Sequence, residues 1–133
     1  MKILLDPQIF NQQKYGGISR YYTEIFSRIA KEKNIRINLP VFCSYNVYLQ
    51  ESCLYEKEQK RMSYVLNIFS KLGISLRKKI IKQNQKEVLR AMAEKDFDLF
   101  IATYYDPYFL EYIKEKPFVL TVYDMIHELF PQY

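Results

Sequence analysis

The chain lacks most of the residues from which disulfide frameworks and metal sites are built. Its 133 residues include one histidine, two cysteines and no tryptophan. Cys43 and Cys53 are too few for a disulfide framework and have no basic or helix-start context, so we expect free, unreactive thiols. A single histidine excludes a multi-histidine metal site.

Long apolar runs are also lacking. No stretch reaches the roughly 20 apolar residues that a membrane-spanning helix needs, and no positively charged and then apolar leader opens the chain. With 49% hydrophobic and 26% charged residues, the composition is that of a globular protein. Residues 1–133 are expected to form one cytoplasmic domain.

Tyrosine and phenylalanine, in contrast, are abundant, with 13 and 9 copies. Two explanations stay open: an AT-rich coding bias, or a site lined by tyrosines, whose rings cover apolar surface while the hydroxyl stays wet. The net charge of +5 attracts anionic partners without identifying one. Nucleic acid is not an expected partner, because only the charge and the aromatics favour it.

Apolar runs alternate with stretches of helical periodicity along the chain. Strands are predicted at 2–6, 35–42, 98–102 and 117–123, and helices at 17–33, 62–95 (broken at Gly73) and 109–113. Residues 7–16 are predicted to be a polar loop, and residues 43–61 a variable loop with one helical turn. This order predicts an α/β fold, a Rossmann-like open parallel sheet with helices on both faces.

The helical region at residues 62–86 is basic as well as amphipathic. Such helices can lie on an acidic membrane surface, here the inner face of the plasma membrane. The alternative is an ordinary solvated helix face, which is the commoner situation.

A glycine pair opens the first predicted helix. Gly16 and Gly17 follow the first strand after a loop, and Arg20 comes one turn later. Backbone N–H groups at a helix start attract phosphate, which an arginine can also bind. A tight turn, and a surface salt bridge for Arg20, are the alternatives, because neither G-x-G-x-x-G nor a P-loop is present.

Polar residues follow the other predicted strands. They are Tyr104, Tyr105 and Asp106 after the third strand, and Tyr123, Asp124 and His127 after the fourth. Because the carboxyl ends of parallel strands meet at one edge of a sheet, we expect one polar cleft lined by tyrosines. Asp124 could hold a sugar hydroxyl, act as a base or cap the following turn, and a lone histidine can be structural.

Four blocks in this order resemble the N-terminal half of family 4 glycosyltransferases. They are residues 6–10 (DPQIF), 15–21 (YGGISRY), 102–107 (ATYYDP) and 118–128 (FVLTVYDMIHE). The family has a histidine near the transferred sugar at the position of Tyr123, whereas Asp124 is retained. Residues 43–95 are generic.

The resemblance implies a GT-B enzyme of bacterial type that transfers a hexose, with retention, from a nucleoside-diphosphate sugar to a glycan or lipid-linked acceptor. It implies that Gly16, Gly17 and Arg20 face the donor diphosphate, that Tyr104, Tyr105, Asp106 and Tyr123 line the acceptor cleft, and that Asp124 and His127 are catalytic. The resemblance also implies transfer without a metal or a cofactor, and a donor-binding second domain beyond this chain. The alternative is a stand-alone Rossmann-like or flavodoxin-like binding module.

Overall fold

The computed structural model describes residues 1–71, 75–124 and 129. Its strands are β1 (Lys2–Leu5), β2 (Arg36–Asn38), β3 (Leu99–Ala102) and β4 (Phe118–Leu120). The helices are α1 (Gln8–Gln12), α2 (Gly17–Ile29), α3 (Val47–Glu51), α4 (Lys57–Lys71), α5 (Arg77–Glu94) and α6 (Leu110–Ile113), with a 3-10 turn at Pro107–Phe109. The four strands form one parallel sheet in the order β2-β1-β3-β4. The predicted α/β class is confirmed.

β1 is covered on both faces, which explains its continuous apolar sequence. Ile3 and Leu5 pack into a core with Tyr22 of α2. Leu4 points to the opposite face and packs with Val88 of α5. Helices therefore cover both faces of the sheet, as the sequence predicted.

The direction in which the chain adds strands reverses at β1, which makes the edge between β1 and β3 a topological switch point. β1 pairs in parallel with β2 on one side and with β3 on the other. The chain leaves β1 toward β2 and later crosses to β3, so the loops after β1 and β3 diverge at the carboxyl edge of the sheet. Ligands of open parallel sheets bind in such crevices.

Two segments predicted as loops are helical. Residues 8–12 form α1 because Pro7 suits a helix start and because Ile9 and Phe10 bury their side chains in the core beneath α2. The charged run at 56–61 enters α4, whose start is supported by a hydrogen bond from the Glu56 N–H to the Gln59 side chain, with an N···O distance of 2.9 Å. Residues 8–12 are therefore not the predicted loop, and residues 43–61 contain, besides the start of α4, one short helix, α3, where one helical turn was predicted.

Three other elements are shorter than predicted. β2 covers Arg36–Asn38 instead of 35–42, because its pairing with β1 ends where Asn38 lies opposite Leu4. β4 covers three residues instead of 117–123, because β3 ends at Ala102, which pairs with Leu120. α2 ends at Ile29 instead of Lys33. The predicted break at Gly73 lies outside the described residues, although separate helices lie before and after it. None of the described helices combines the length and apolarity needed to cross a bilayer.

Candidate functional site

At the start of α2, the space beside Gly17 is empty, whereas the space beside Gly16 is filled by another side chain. A Cβ added at Gly17 would meet no atom within 4 Å, whereas one added at Gly16 would lie 2.0 Å from the Gln13 side-chain oxygen. That oxygen accepts a hydrogen bond from the Ser19 N–H at 3.3 Å. Gly16 therefore makes room for a side chain that caps the helix, and Gly17 leaves the space in front of the helix free.

Three hydrogen-bond donors remain available at this helix start. Within the described residues, the N–H groups of Gly17 and Ile18 have no acceptor, and Arg20 has neither an ion pair nor a side-chain hydrogen bond. Arg28, on the same helix, lies 3.7 Å from Glu24. The salt-bridge alternative for Arg20 is thus absent among these residues. The arrangement can receive an anion through two backbone N–H groups and a guanidinium.

The structure brings the three predicted tyrosines together. The ring centroids of Tyr104 and Tyr105 are 5.0 Å apart, and those of Tyr105 and Tyr123 are 6.0 Å apart. The Tyr123 N–H donates to the Tyr105 hydroxyl oxygen at 2.8 Å. The Tyr123 ring also contacts Tyr22 of α2, at 6.4 Å. These residues form a cluster on the α2 side of the sheet.

Burial raises the pKa of Tyr123 far above its ordinary value. Its hydroxyl therefore stays protonated at physiological pH and cannot act as a general base. The hydroxyl is buried and has no hydrogen-bond partner among the described residues, so Tyr123 contributes its ring and its backbone N–H to the cluster. Asp124 follows on the exposed surface, and His127 lies outside the described residues.

Asp106 does not join the tyrosines. Its carboxylate accepts from the Tyr108 N–H at 3.2 Å and so caps the 3-10 turn. Its backbone N–H donates to the Gln8 side-chain oxygen at 3.1 Å, and its carbonyl accepts from the Gln8 amide at 3.4 Å. Asp106 is thereby held toward α1. The single predicted cleft divides into a tyrosine cluster and a second, acidic region.

The second region centres on Asp6, which follows the first strand at the predicted edge but received no catalytic or binding role from the sequence. Asp6 directly follows β1 and is 1% exposed. Its Oδ1 accepts from the Tyr108 hydroxyl at 2.7 Å and from the Gln8 N–H at 3.2 Å. Its Oδ2 is buried without a hydrogen-bond partner among the described residues. An aspartate after a fully apolar strand was the signal that could have found it.

Burial raises the pKa of Asp6 to about 6. The Tyr108 hydroxyl and the nearby N–H groups of Gln8 and Thr103 lower the pKa in part, and the charge of Asp106 raises it. A strongly perturbed carboxyl beside a cavity is typical of functional sites, although structural networks also produce such shifts.

A pocket of about 240 Å³ opens beside Asp6, between α1, α5 and the loop after β3. We call it the Asp6 pocket. Its polar wall comprises Asp6, Gln8, Asn11, Gln12, Gln85, Asp106 and Tyr108, and its apolar wall comprises Pro7, Ile81 and Val88. No lysine or arginine of the described part of the chain lines it.

Both cysteines are free, as predicted. Burial raises the pKa of Cys43 to about 11, so its thiol is not a nucleophile at neutral pH. Cys53 is exposed, and its sulfur lies 3.7 Å from the Ser27 carbonyl oxygen. Neither thiol lines the Asp6 pocket or belongs to the tyrosine cluster.

Comparisons of the chain with protein-family models, with curated proteins and with solved structures found no match. The parallel sheet and the groups at its carboxyl edge are therefore the observations that bear on function.

Proposed function

We propose that this chain is the N-terminal, acceptor-side part of a retaining glycosyltransferase that acts in cell-surface polysaccharide synthesis. Its substrates are a nucleoside-diphosphate hexose and a glycan or lipid-linked acceptor. The observation that carries the proposal is the start of α2, where Gly17 is open and Arg20 is unpaired with any described residue. This supports the diphosphate role that the sequence resemblance implies.

The reaction needs two kinds of stabilisation. Negative charge develops on the departing diphosphate while the transferred sugar becomes oxocarbenium-like. The N–H groups at the start of α2 carry the positive end of the helix dipole and favour the departing anion. In this proposal, a second domain brings the diphosphate to Gly17 and Arg20. The cluster of Tyr104, Tyr105 and Tyr123 then lies beside the acceptor, with the ring of Tyr105 as its exposed member and the hydroxyl of Tyr123 buried.

Nucleoside-diphosphate binding to the full-length protein tests the proposal. Gly17→Val places a side chain in space that is empty in the fold, so it should block the ligand without disturbing α2. Arg20→Gln removes the guanidinium. We expect each substitution to weaken UDP or GDP binding about tenfold or more, because hydrogen bonds to charged groups contribute roughly 1.5–3 kcal/mol.

Arg28→Gln is the matched control, since Arg28 lies on the same helix but contacts Glu24. Its diphosphate affinity should stay within about twofold of the parent. Equal affinities for the parent, Gly17→Val and Arg20→Gln would refute the diphosphate role.

A second measurement distinguishes the enzyme from the alternative, a binding module without catalysis. Sugar release from a panel of nucleoside-diphosphate hexoses is followed with the full-length protein. A protein that binds the diphosphate through Gly17 but transfers no sugar would favour the binding module. Transfer abolished by Gly17→Val would favour the enzyme.

We also propose that α4 and α5 contact an acidic membrane surface. Four large apolar side chains of α4 are 40–68% exposed, namely Tyr64, Val65, Ile68 and Phe69. Exposed lysines of α5 lie on the adjoining helix, at Lys78, Lys79 and Lys82. Apolar area together with basic charge is the combination that binds anionic lipid.

Cosedimentation with vesicles tests this contact. Phosphatidylglycerol vesicles should bind the protein, and phosphatidylcholine vesicles should not. Ile68→Glu should abolish binding, whereas Tyr112→Glu, an exposed aromatic on α6, should not change it. Binding that survives Ile68→Glu, or that ignores lipid charge, would contradict the proposed surface.

A further inference from the structure

We infer that the Asp6 pocket binds one neutral sugar ring through its hydroxyl groups, with the Oδ2 of Asp6 as the central acceptor. The inference rests on the proposed function only in identifying that sugar as the acceptor. The pocket lies at the carboxyl end of β1, beside the switch point of the sheet, where ligands of such folds bind.

The charge of the pocket wall disfavours an anionic ligand. Asp6 and Asp106 line it, and among the described residues no lysine or arginine does. A phosphate would meet two carboxyl groups, while the guanidinium of Arg77, outside the wall, donates to the Gln12 carbonyl oxygen at 2.9 Å. A multi-ligand metal site is not formed either, because the described residues contain no group of three acidic, histidine or cysteine side chains placed to hold an ion. A neutral ligand that donates hydrogen bonds suits this wall.

The unpaired oxygen of Asp6 points to a donor on the ligand. Oδ1 is occupied by Tyr108 and Gln8, which fix the carboxyl group. Oδ2 is buried and has no partner in the described part of the chain. Buried polar atoms are nearly always hydrogen-bonded, and leaving one unpaired is costly. A sugar hydroxyl that donates to Oδ2 would complete the set.

The amide groups around Asp6 suit the other hydroxyls of a sugar. Asn11 accepts a hydrogen bond on its Oδ1 from Asn84 at 2.5 Å, which leaves its NH₂ group for a ligand. The side chains of Gln12 and Gln85 also line the pocket. Amides donate and accept, as hydroxyl groups do, so they can recognise a polyol without charge.

The size and the apolar wall favour a single ring. Sites for drug-sized ligands measure about 300–1,000 Å³, and the Asp6 pocket is smaller, at about 240 Å³. Pro7, Ile81 and Val88 offer an apolar surface on which the C–H face of a pyranose can pack. A nucleotide is too large for this space, whereas one hexose is not.

Binding of simple glycosides tests the inference without a donor sugar. The ¹⁵N-labelled protein is titrated with the methyl α-glycosides of glucose, galactose and mannose, and with glycerol as the small-polyol control. We expect at least one glycoside to shift the amide signals around Asp6 and Gln85 with a Kd on the order of 1 mM, and glycerol to bind at least about tenfold more weakly.

Two variants and one control locate the site. Asp6→Asn keeps an acceptor for Tyr108 but replaces Oδ2 with a donor, and should raise the Kd about tenfold or more. Gln85→Ala, at an exposed position, should raise it about threefold with an unchanged fold. Gln83→Ala, two residues away and outside the pocket wall, should leave the Kd unchanged.

Several results would overturn the inference. The first is that no glycoside shifts any amide signal up to about 100 mM, a hundredfold above a millimolar Kd. The second is that neither Asp6→Asn nor Gln85→Ala changes the Kd. The third is that Mg²⁺ or methylammonium shifts the signal of Asp6 whereas sugars do not. Failure of the proposed function can be distinguished from failure of this inference. In that case Gly17→Val would leave diphosphate binding unchanged, while glycosides would still bind.

Discussion

Replacing Asp6 with asparagine should remove a pH dependence of the free energy of unfolding between about pH 4 and pH 6. The pKa of Asp6 is raised from 3.8 to about 6 in the folded protein, mainly by burial. A shift of about 2 units corresponds to ~3 kcal/mol. Because Asp6 is 1% exposed, solvent screens little of this cost.

The sign follows from proton binding. Between about pH 4 and pH 6, the folded state still holds the proton that the unfolded state has released, so the free energy of unfolding falls as the pH rises. Below that window both states are protonated, and above it the full cost of the buried charge is present. Asparagine does not titrate. As the pH rises from about 4 to 7.5, the free energy of unfolding of the variant should therefore increase by ~3 kcal/mol relative to that of the parent.

Urea unfolding of parent and variant at a series of pH values measures this difference. Asp96→Asn is the control, because Asp96 is exposed and the hydrogen bond from Lys2 lowers its pKa. Its effect should have the opposite sign and be small. A difference between the parent and Asp6→Asn that is flat from about pH 4 to pH 7.5 would show that Asp6 does not carry the raised pKa.

Three other substitutions test the packing around the site by the same unfolding measurement. Tyr108→Phe removes the donor to Asp6 and should cost roughly 1.5–3 kcal/mol near pH 7.5 but less near pH 4; a pH-independent loss would contradict it. Asn84→Ala removes hydrogen bonds to buried backbone groups and should cost about 2–4 kcal/mol at any pH; a cost under about 1 kcal/mol would contradict it. Gln13→Ala and Gly16→Ala should each cost about 1 kcal/mol by removing the same cap of α2, and the double variant should be no worse; additive losses would show separate causes.

The sequence predicted those elements in which buried apolar residues recur at a regular spacing. β1 is a continuous apolar run, and α2 has apolar residues at three- and four-residue steps. α1 was not predicted, because five residues are too few to display a helical period. The end of β4 was not predicted because it depends on where β3 ends, and β3 is an independent stretch of chain.

The candidate site was predicted in part for a similar reason. The strands are parallel, as the sequence predicted, so the segments after β3 and β4 meet at one edge of the sheet and bring Tyr104, Tyr105 and Tyr123 together. The separation of Asp106 from the tyrosines depends on side-chain bonds to Gln8, about 100 residues away in the chain. The Asp6 carboxyl group is likewise held by the hydroxyl of Tyr108, about 100 residues away. No local pattern reports such contacts.

The short helix α1 gives the Asp6 pocket its preorganisation. Gln8 uses both ends of its amide on the backbone of Asp106, so the loops after β1 and β3 are fixed to each other. Its N–H also orients the Asp6 carboxyl group, whose second oxygen remains unpaired with any described residue. A ligand that satisfies this oxygen does not have to order either loop, and the cost of ordering is a main loss in binding. The start of α2 is different, because the side chain of Arg20 is exposed and must be fixed when an anion binds. We therefore expect the pocket to bind its ligand in this domain alone, and the glycine pair to bind a diphosphate only when a second domain holds the rest of it.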